Sequence, residues 1–277
     1  MGVRAMSESG YQVSGNAAEN YERVASAFMM PWAQHLVEQG RLTGGERVLD
    51  VACGTGFVAR VAADIVGTDR VVGVDVNPMM LAVAETATGI EVRERPADDT
   101  GLDDGSVDVV LCQQGLQYFP SPAAAVGEVR RCLRVHGRAV FSVWAPFAEN
   151  PFIAGQIDAL EEHLSPDAVA GFRSTNIDAL GGEAGVASLL HDAGLVDVEL
   201  TKHRLDVDLP PMEEFFPELI SATPWASTFA ELSDSERRAV ISRMDDSVIQ
   251  RTDGNSTTAT MIAIVAEGTA GQTFPTT

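Results

Sequence analysis

The stretch Val48-Leu49-Asp50-Val51-Ala52-Cys53-Gly54-Thr55-Gly56 leaves few folds open to this chain. A short β-favouring apolar run ends in two glycines separated by one residue. Phe57, Val58, Val61, Ala62 and Ile65 then recur with helical spacing. Strand, tight turn and helix in that order form the first unit of a nucleotide-binding α/β fold. The turn needs positive φ or close backbone approach to a ligand, and a Cβ obstructs both. A cofactor site at this turn is the first expectation.

The pattern repeats downstream. Arg70 to Asp75 reads as a second strand ending in a carboxylate. Asn77 and Pro78 then open a helix through Ala87, as a cap and an N1 proline do. Ile90 to Arg95 is a short, mixed edge or near-edge strand, and an acidic, turn-rich segment follows from Pro96 to Ser106. Val107 to Cys112 is the fourth strand, a helix spans Pro122 to Arg134, and the turn Val135-His136-Gly137 leads to a fifth strand, Arg138 to Trp144. Such alternation predicts a doubly wound, mostly parallel sheet with right-handed crossovers. After it, Val196 to Leu209 and Thr258 to Ala266 read as long strands, which predicts a C-terminal antiparallel hairpin closing the sheet. Residues 1–15 are expected to be disordered, and 16–277 to form one domain. Helices over 16–40, interrupted at Pro31, and insertions at 145–184 and 211–255 would form a lid over the crevice.

Charge excludes some partners. Forty acidic against 19 basic residues give a formal net charge of -21, which repels phosphate backbones and anionic lipid. The basic cluster Arg130, Arg131, Arg134 and Arg138 sits at a helix end, where cations complement the dipole. Three cysteines at unrelated spacings give neither a disulfide framework nor a zinc signature. No apolar run reaches the roughly 18 residues of a membrane span. The expectation is a cytoplasmic protein with a small-molecule partner, no nucleic acid, no metal and an undetermined oligomeric state.

Two cofactor classes compete for the glycine turn. Gly54-Thr55-Gly56-Phe57-Val58-Ala59 satisfies a relaxed dinucleotide fingerprint, with Asp75 about 20 residues on, so an NAD(P)-dependent oxidoreductase is one reading. A non-catalytic cofactor-binding protein is another. Against a dinucleotide stands Asp50, just before the turn, where a carboxylate repels a pyrophosphate and suits a cation.

Asp50 to Gly56, Gly73-Val74-Asp75, Asp104 to Asp108 and Leu133 to Gly137 together resemble the successive motifs of class I S-adenosylmethionine-dependent methyltransferases, and within them the small-molecule, UbiE-like or type 11 branch. The resemblance covers roughly residues 45–145 and implies a Rossmann-like fold, S-adenosylmethionine as cofactor and methyl transfer to an apolar or aromatic metabolite. It further implies that Asp50 and the backbone of Ala52, Gly54 and Gly56 hold the methionine moiety. Asp75 takes both ribose hydroxyls, Val76 and Met80 cover adenine, the Gln113 backbone reaches the amine, and Tyr21 closes over the carboxylate. One departure stands out. The family's Asp-Ala pair after strand three is Pro96-Ala97 here, which leaves the adenine amino group to Asp98 from a shifted turn, to water or to backbone. No catalytic base is assigned, and none of the five histidines has a partner in sequence. The acceptor pocket is expected among Phe28, Met29, Met30, Trp32, Phe147, Phe152, Phe215, Phe216 and Trp225.

Overall fold

The first strand, β1 (Val48–Val51), is buried along its whole length, as a strand covered on both faces of a parallel sheet must be. The structure, a computed structural model, describes residues 17–223, 225–250 and 257–272. The start at 1–15, expected to be disordered, lies outside them. β1 pairs in parallel with β2 (Val71–Asp75) and β4 (Val107–Gln113). β2 also pairs with β3 (Glu91–Glu94), and β4 with β5 (Leu133–Trp144). Beyond β5 the direction reverses, because β8 (Thr257–Ala270) lies antiparallel between β5 and β6 (Leu195–Leu209). The two-residue β7 (Ile249–Gln250) pairs with the start of β8. Strand order is therefore β3-β2-β1-β4-β5-β8-β6, the mostly parallel sheet and antiparallel hairpin that the sequence predicts.

That order changes direction between β1 and β4, and a crevice opens beyond the carboxyl ends of strands at such a point. Ala52 and Gln114 follow these two strand ends directly. Both are non-glycine residues with positive φ, 56° and 53°, a backbone state that costs on the order of 1–3 kcal/mol. The strain sits on both sides of the crevice mouth.

Among the described residues the helices are α1 (Ala17–Gln39), α2 (Phe57–Val66), α3 (Pro78–Thr88), α4 (Pro122–Cys132), α5 (Pro151–Asp158), α6 (Pro166–Arg173), α7 (Gly182–Asp192), α8 (Met212–Ser221), α9 (Ala226–Glu231) and α10 (Asp234–Asp245). None is long and apolar enough to cross a membrane. Asn77 caps α3, accepting hydrogen bonds from the amides of Met79 and Met80, as its place before Pro78 implies.

Two local expectations are corrected. Pro31 does not divide the first helical segment: α1 runs unbroken through it. A proline inside a helix costs about 3 kcal/mol, yet both flanks are pinned by packing. Phe28 meets Phe152 and Trp32 meets Trp144, each at 5.7 Å between ring centroids. Burial of two such side chains offsets the missing amide. Second, α4 stops at Cys132 and the chain enters β5 at once. The expected turn at 135–137 becomes an irregularity inside that strand, with Val107 opposite Leu133, Val109 opposite Arg138, and His136 at φ 65°. Within the insertion at 145–184, α6 is opened by Ser165, whose hydroxyl accepts from the Ala168 amide. The four clustered arginines are held by partners: Arg130 on the Gly194 and Gly271 carbonyls, Arg131 on Glu128 and Asp104, Arg134 on Asp108, and Arg138 on Glu46.

Candidate active site

A cavity of about 670 Å³ opens at the carboxyl ends of β1, β2 and β4, and a smaller one of about 50 Å³ adjoins it under the glycine turn. Of the residues singled out in the sequence, Tyr21, Ala52, Gly54, Asp75, Val76, Met80, Ala97, Asp98 and Gln113 line the larger cavity. Asp50 lines the smaller one, with Tyr21, Ala52, Gly54 and Gln113 again. Gly56 lines neither. Its φ is 88°, and a Cβ there would press on Thr88 and Ala84 of α3 at 3.0 and 3.3 Å. What Gly56 permits is the turn and the approach of α2 to α3.

The hydrogen bonds of the turn separate the two cofactor classes. A pyrophosphate cradle needs free amides aimed at the ligand. Here the Gly54 amide donates to Asp75 Oδ2 at 2.9 Å and the Gly56 amide to the Cys53 carbonyl at 2.8 Å. The start of α2 is also already met by an anion, since the Ala59 amide donates to Asp50 Oδ2 at 3.0 Å. At these two glycines neither amide is free to meet a phosphate.

Other acceptors converge there. Asp50 is 1% exposed, and burial pushes its carboxyl well above the usual range despite the Ala59 hydrogen bond. Gln113 donates through Nε2 to the Met29 carbonyl at 3.0 Å, while its Oε1 is buried with no partner among the described residues. A buried carboxylate beside an orphaned amide oxygen suits a group that brings several N–H donors and a positive charge. The ammonium of an amino-acid moiety has that chemistry, and a phosphate does not. The donor set therefore fits the methionine end of S-adenosylmethionine.

At the end of β2, Asp75 accepts from the amides of Gly54 and Asn77, both at 2.9 Å. Burial raises its carboxyl above the ordinary range against the pull of these bonds. Val76, 43% exposed, and the buried Met80 present apolar side chains at this mouth. The loop carrying Ala97 and Asp98 is tied to α4. Glu128 accepts from the Thr100 amide at 2.9 Å and hydroxyl at 2.7 Å, and pairs with Arg131. These partners outweigh desolvation and bring the Glu128 carboxyl down to about 2. Tyr21 of α1 closes the other side, its hydroxyl held protonated chiefly by burial.

Beyond the cofactor-sized end, the cavity runs between α1, α5, α6 and α8. Phe28, Met29 and Trp225 line it as expected, whereas Trp32, Phe152, Phe215 and Phe216 belong to the buried core. Sequence reasoning missed Trp144, Gln156 and Phe172, which also line it. Gln156 carried a signal, being a polar residue in the otherwise apolar run Phe152-Ile153-Ala154-Gly155-Gln156-Ile157. Trp144 and Phe172 carried none that separates a wall from a core. On the β4 side, Gln114 donates to Ser142 and accepts from Gln117, and Tyr118 is held by Gln117 and Thr175. No set of three or more His, Cys, Asp or Glu side chains suited to a metal occurs among the described residues.

Comparison with known proteins agrees with this geometry. Residues 49–141 match the family model of a methyltransferase domain. Nocamycin O-methyltransferase of Saccharothrix syringae is 29% identical over 80% of this chain and 84% of its own length. Demethylmenaquinone methyltransferase of Thermus thermophilus is 34% identical over 44% of this chain and 57% of its own length. Among solved structures, phosphoethanolamine N-methyltransferase 2 of Haemonchus contortus, in complex with S-adenosyl-L-methionine, superposes with a TM-score of 0.57 at 16% identity. That match covers 92% of this chain and 57% of the other.

Proposed function

We propose that this chain, a class I S-adenosylmethionine-dependent methyltransferase acting on small molecules, takes an uncharged apolar or aromatic metabolite as its methyl acceptor. The observation that carries this reading is the distribution of charge in the larger cavity. Among its described lining residues the charged ones are Asp75, Arg95 and Asp98, all at the cofactor end, and the lid contributes none. An anionic acceptor buried against Phe28, Trp144, Phe172 and Trp225 would lose its hydration and meet the negative faces of the rings. Relatives named for nocamycin, demethylmenaquinone and aklanonic acid support a small-molecule acceptor; that it is uncharged rests on the cavity lining.

The residue roles are those the family resemblance implies, and the cavity lining supports them. Asp50 and Gln113 Oε1 take the cofactor's ammonium, Asp75 its ribose hydroxyls, and Val76 and Met80 the faces of adenine. Asp98 and the Ala97 backbone, both lining the cavity, read the adenine edge, and Tyr21 shuts the methionine end from solvent. When bound, S-adenosylmethionine supplies an electrophilic methyl group on a sulfonium. The chain's contribution is to align the acceptor with that methyl and exclude water, and alignment alone supplies much of such a reaction's rate.

Two measurements test the proposal. S-adenosylhomocysteine is expected to raise the melting temperature and NADH to leave it unchanged; the reverse removes the cofactor assignment. In turnover with S-adenosylmethionine, neutral phenols and quinols are expected to be methylated in preference to phosphorylated or cationic acceptors. Turnover confined to charged acceptors refutes the acceptor class.

A further inference from the structure

Gln156 sits in the last turn of α5 and is 8% exposed. Its neighbours three and four residues back are Ile153 and Phe152, so it shares their apolar face. It lines the larger cavity together with Ile153. Buried side-chain amides are nearly always hydrogen-bonded. Yet none of the described residues hydrogen-bonds the Gln156 side-chain amide.

Three other amide or hydroxyl side chains on this wall are already engaged. Gln114 is tied to Ser142 and Gln117. The Thr223 hydroxyl donates to the Ile220 carbonyl and accepts from the Trp225 amide. Tyr118 is anchored by Gln117 and Thr175. Gln156 alone among these four keeps both a donor and an acceptor for whatever fills the cavity. As packing it is a poor choice, since leucine or methionine would fill the same place with no polar group to desolvate.

We propose that Gln156 is the acceptor-orienting residue: its amide hydrogen-bonds a hydroxyl or carbonyl substituent on an otherwise apolar, uncharged ring system, and so decides which edge of the ring faces the methyl group. The assignment rests on the acceptor class proposed above and narrows it to rings bearing a neutral oxygen. An apolar ring without that oxygen drives water from the cavity and leaves the amide unpaired. The site therefore rejects the bare hydrocarbon, as sites built around a hydrogen bond do.

The experiment measures binding of 2-naphthol, naphthalene and 2-naphthoate to the full chain saturated with S-adenosylhomocysteine, followed by tryptophan fluorescence. Wild type is expected to bind 2-naphthol about tenfold or more tighter than naphthalene, and 2-naphthoate weakest. In Gln156→Leu the preference for 2-naphthol over naphthalene collapses towards unity while S-adenosylhomocysteine affinity is retained. Gln156→Met, of similar length, serves as the second variant should the first not fold. A 2-naphthol preference that survives in the folded variant overturns the Gln156 assignment and leaves the apolar acceptor class standing. If none of the three probes binds loaded wild type, or if 2-naphthoate binds best, the acceptor class fails and the assignment falls with it.

Discussion

Replacing Asp75 by asparagine separates the cofactor role proposed for this carboxylate from its structural one. In the free protein, Asp75 accepts from the Gly54 and Asn77 amides, both at 2.9 Å, and lines the cavity. Asparagine keeps one acceptor oxygen and turns an NH₂ towards the second amide, losing one internal hydrogen bond. Against that loss, the buried charge that raises the Asp75 carboxyl disappears, so the melting temperature of the free protein should change little. Cofactor affinity should change a great deal. Hydrogen bonds to a charged acceptor are worth about 1.5–3 kcal/mol each, and an amide makes weaker and fewer of them with two ribose hydroxyls. A loss of about 2–3 kcal/mol weakens S-adenosylhomocysteine about 30- to 150-fold, measurable by isothermal titration calorimetry. The pH dependence has a definite sign. Hydroxyl donors favour the ionised carboxylate, so affinity falls as pH drops through the raised Asp75 value, above the ordinary carboxylate range. Asp75→Asn flattens part of that slope. A dissociation constant within about threefold of wild type, or an unchanged slope, refutes the ribose assignment.

Other outcomes follow from the same physics. Asp50→Asn should raise the melting temperature of the free protein at neutral pH, because burial lifts the folded carboxyl above its unfolded value and ionisation then costs stability as pH rises. The same variant should show a smaller thermal shift with S-adenosylhomocysteine; a lower free-protein melting temperature would count against the argument. Glu128 has the opposite sign. Depression from 4.5 to about 2 means stability present above the unfolded value and lost as pH falls through about 2, so Glu128→Gln should cost about 2–3 kcal/mol at neutral pH in urea unfolding. An unchanged midpoint would show the Thr100 and Arg131 contacts to be energetically idle. Gly73→Ala places a Cβ 2.8 Å from Cys53 Sγ and should destabilise by about 1–3 kcal/mol. Adding Cys53→Ala should recover part of that loss, and strict additivity in the double-mutant cycle would exclude the clash.

The cofactor half of this molecule was legible because its constraints are local. A strand, a glycine turn and a helix follow one another within 19 residues, Val48 to Val66, and period and turn chemistry speak directly. Asp50 could be placed before the turn, and Asp75 at a strand end, from sequence alone. What sequence could not give is where the amides of Gly54 and Gly56 point, since Asp75 and Cys53 claim them only once β2 lies beside β1. The acceptor half was less legible for a physical reason. Phe215 and Phe216 carry the same apolar signal as Trp225 and Phe172, but only the last two line the cavity. Whether a side chain faces a void or a neighbour is decided by how α5, α6 and α8 pack, and periodicity does not encode it. Pro31 misled for a related reason: its local cost is real, and long-range contacts of Phe28 and Trp32 override it.

The position of β8 bears on how the chain reaches this state. β6 belongs to the sheet only through β8, which itself lies between β5 and β6. During synthesis β1 to β5 emerge early and can assemble as a parallel unit, while β6 must wait, some 50 residues, for the partner that joins it to that unit. Closing such a long loop costs entropy before the pairing repays it, so docking of β8 is expected to be late and slow. Until then the β5 edge is bare, and it is there that a nascent or partly unfolded molecule would stick to its neighbours.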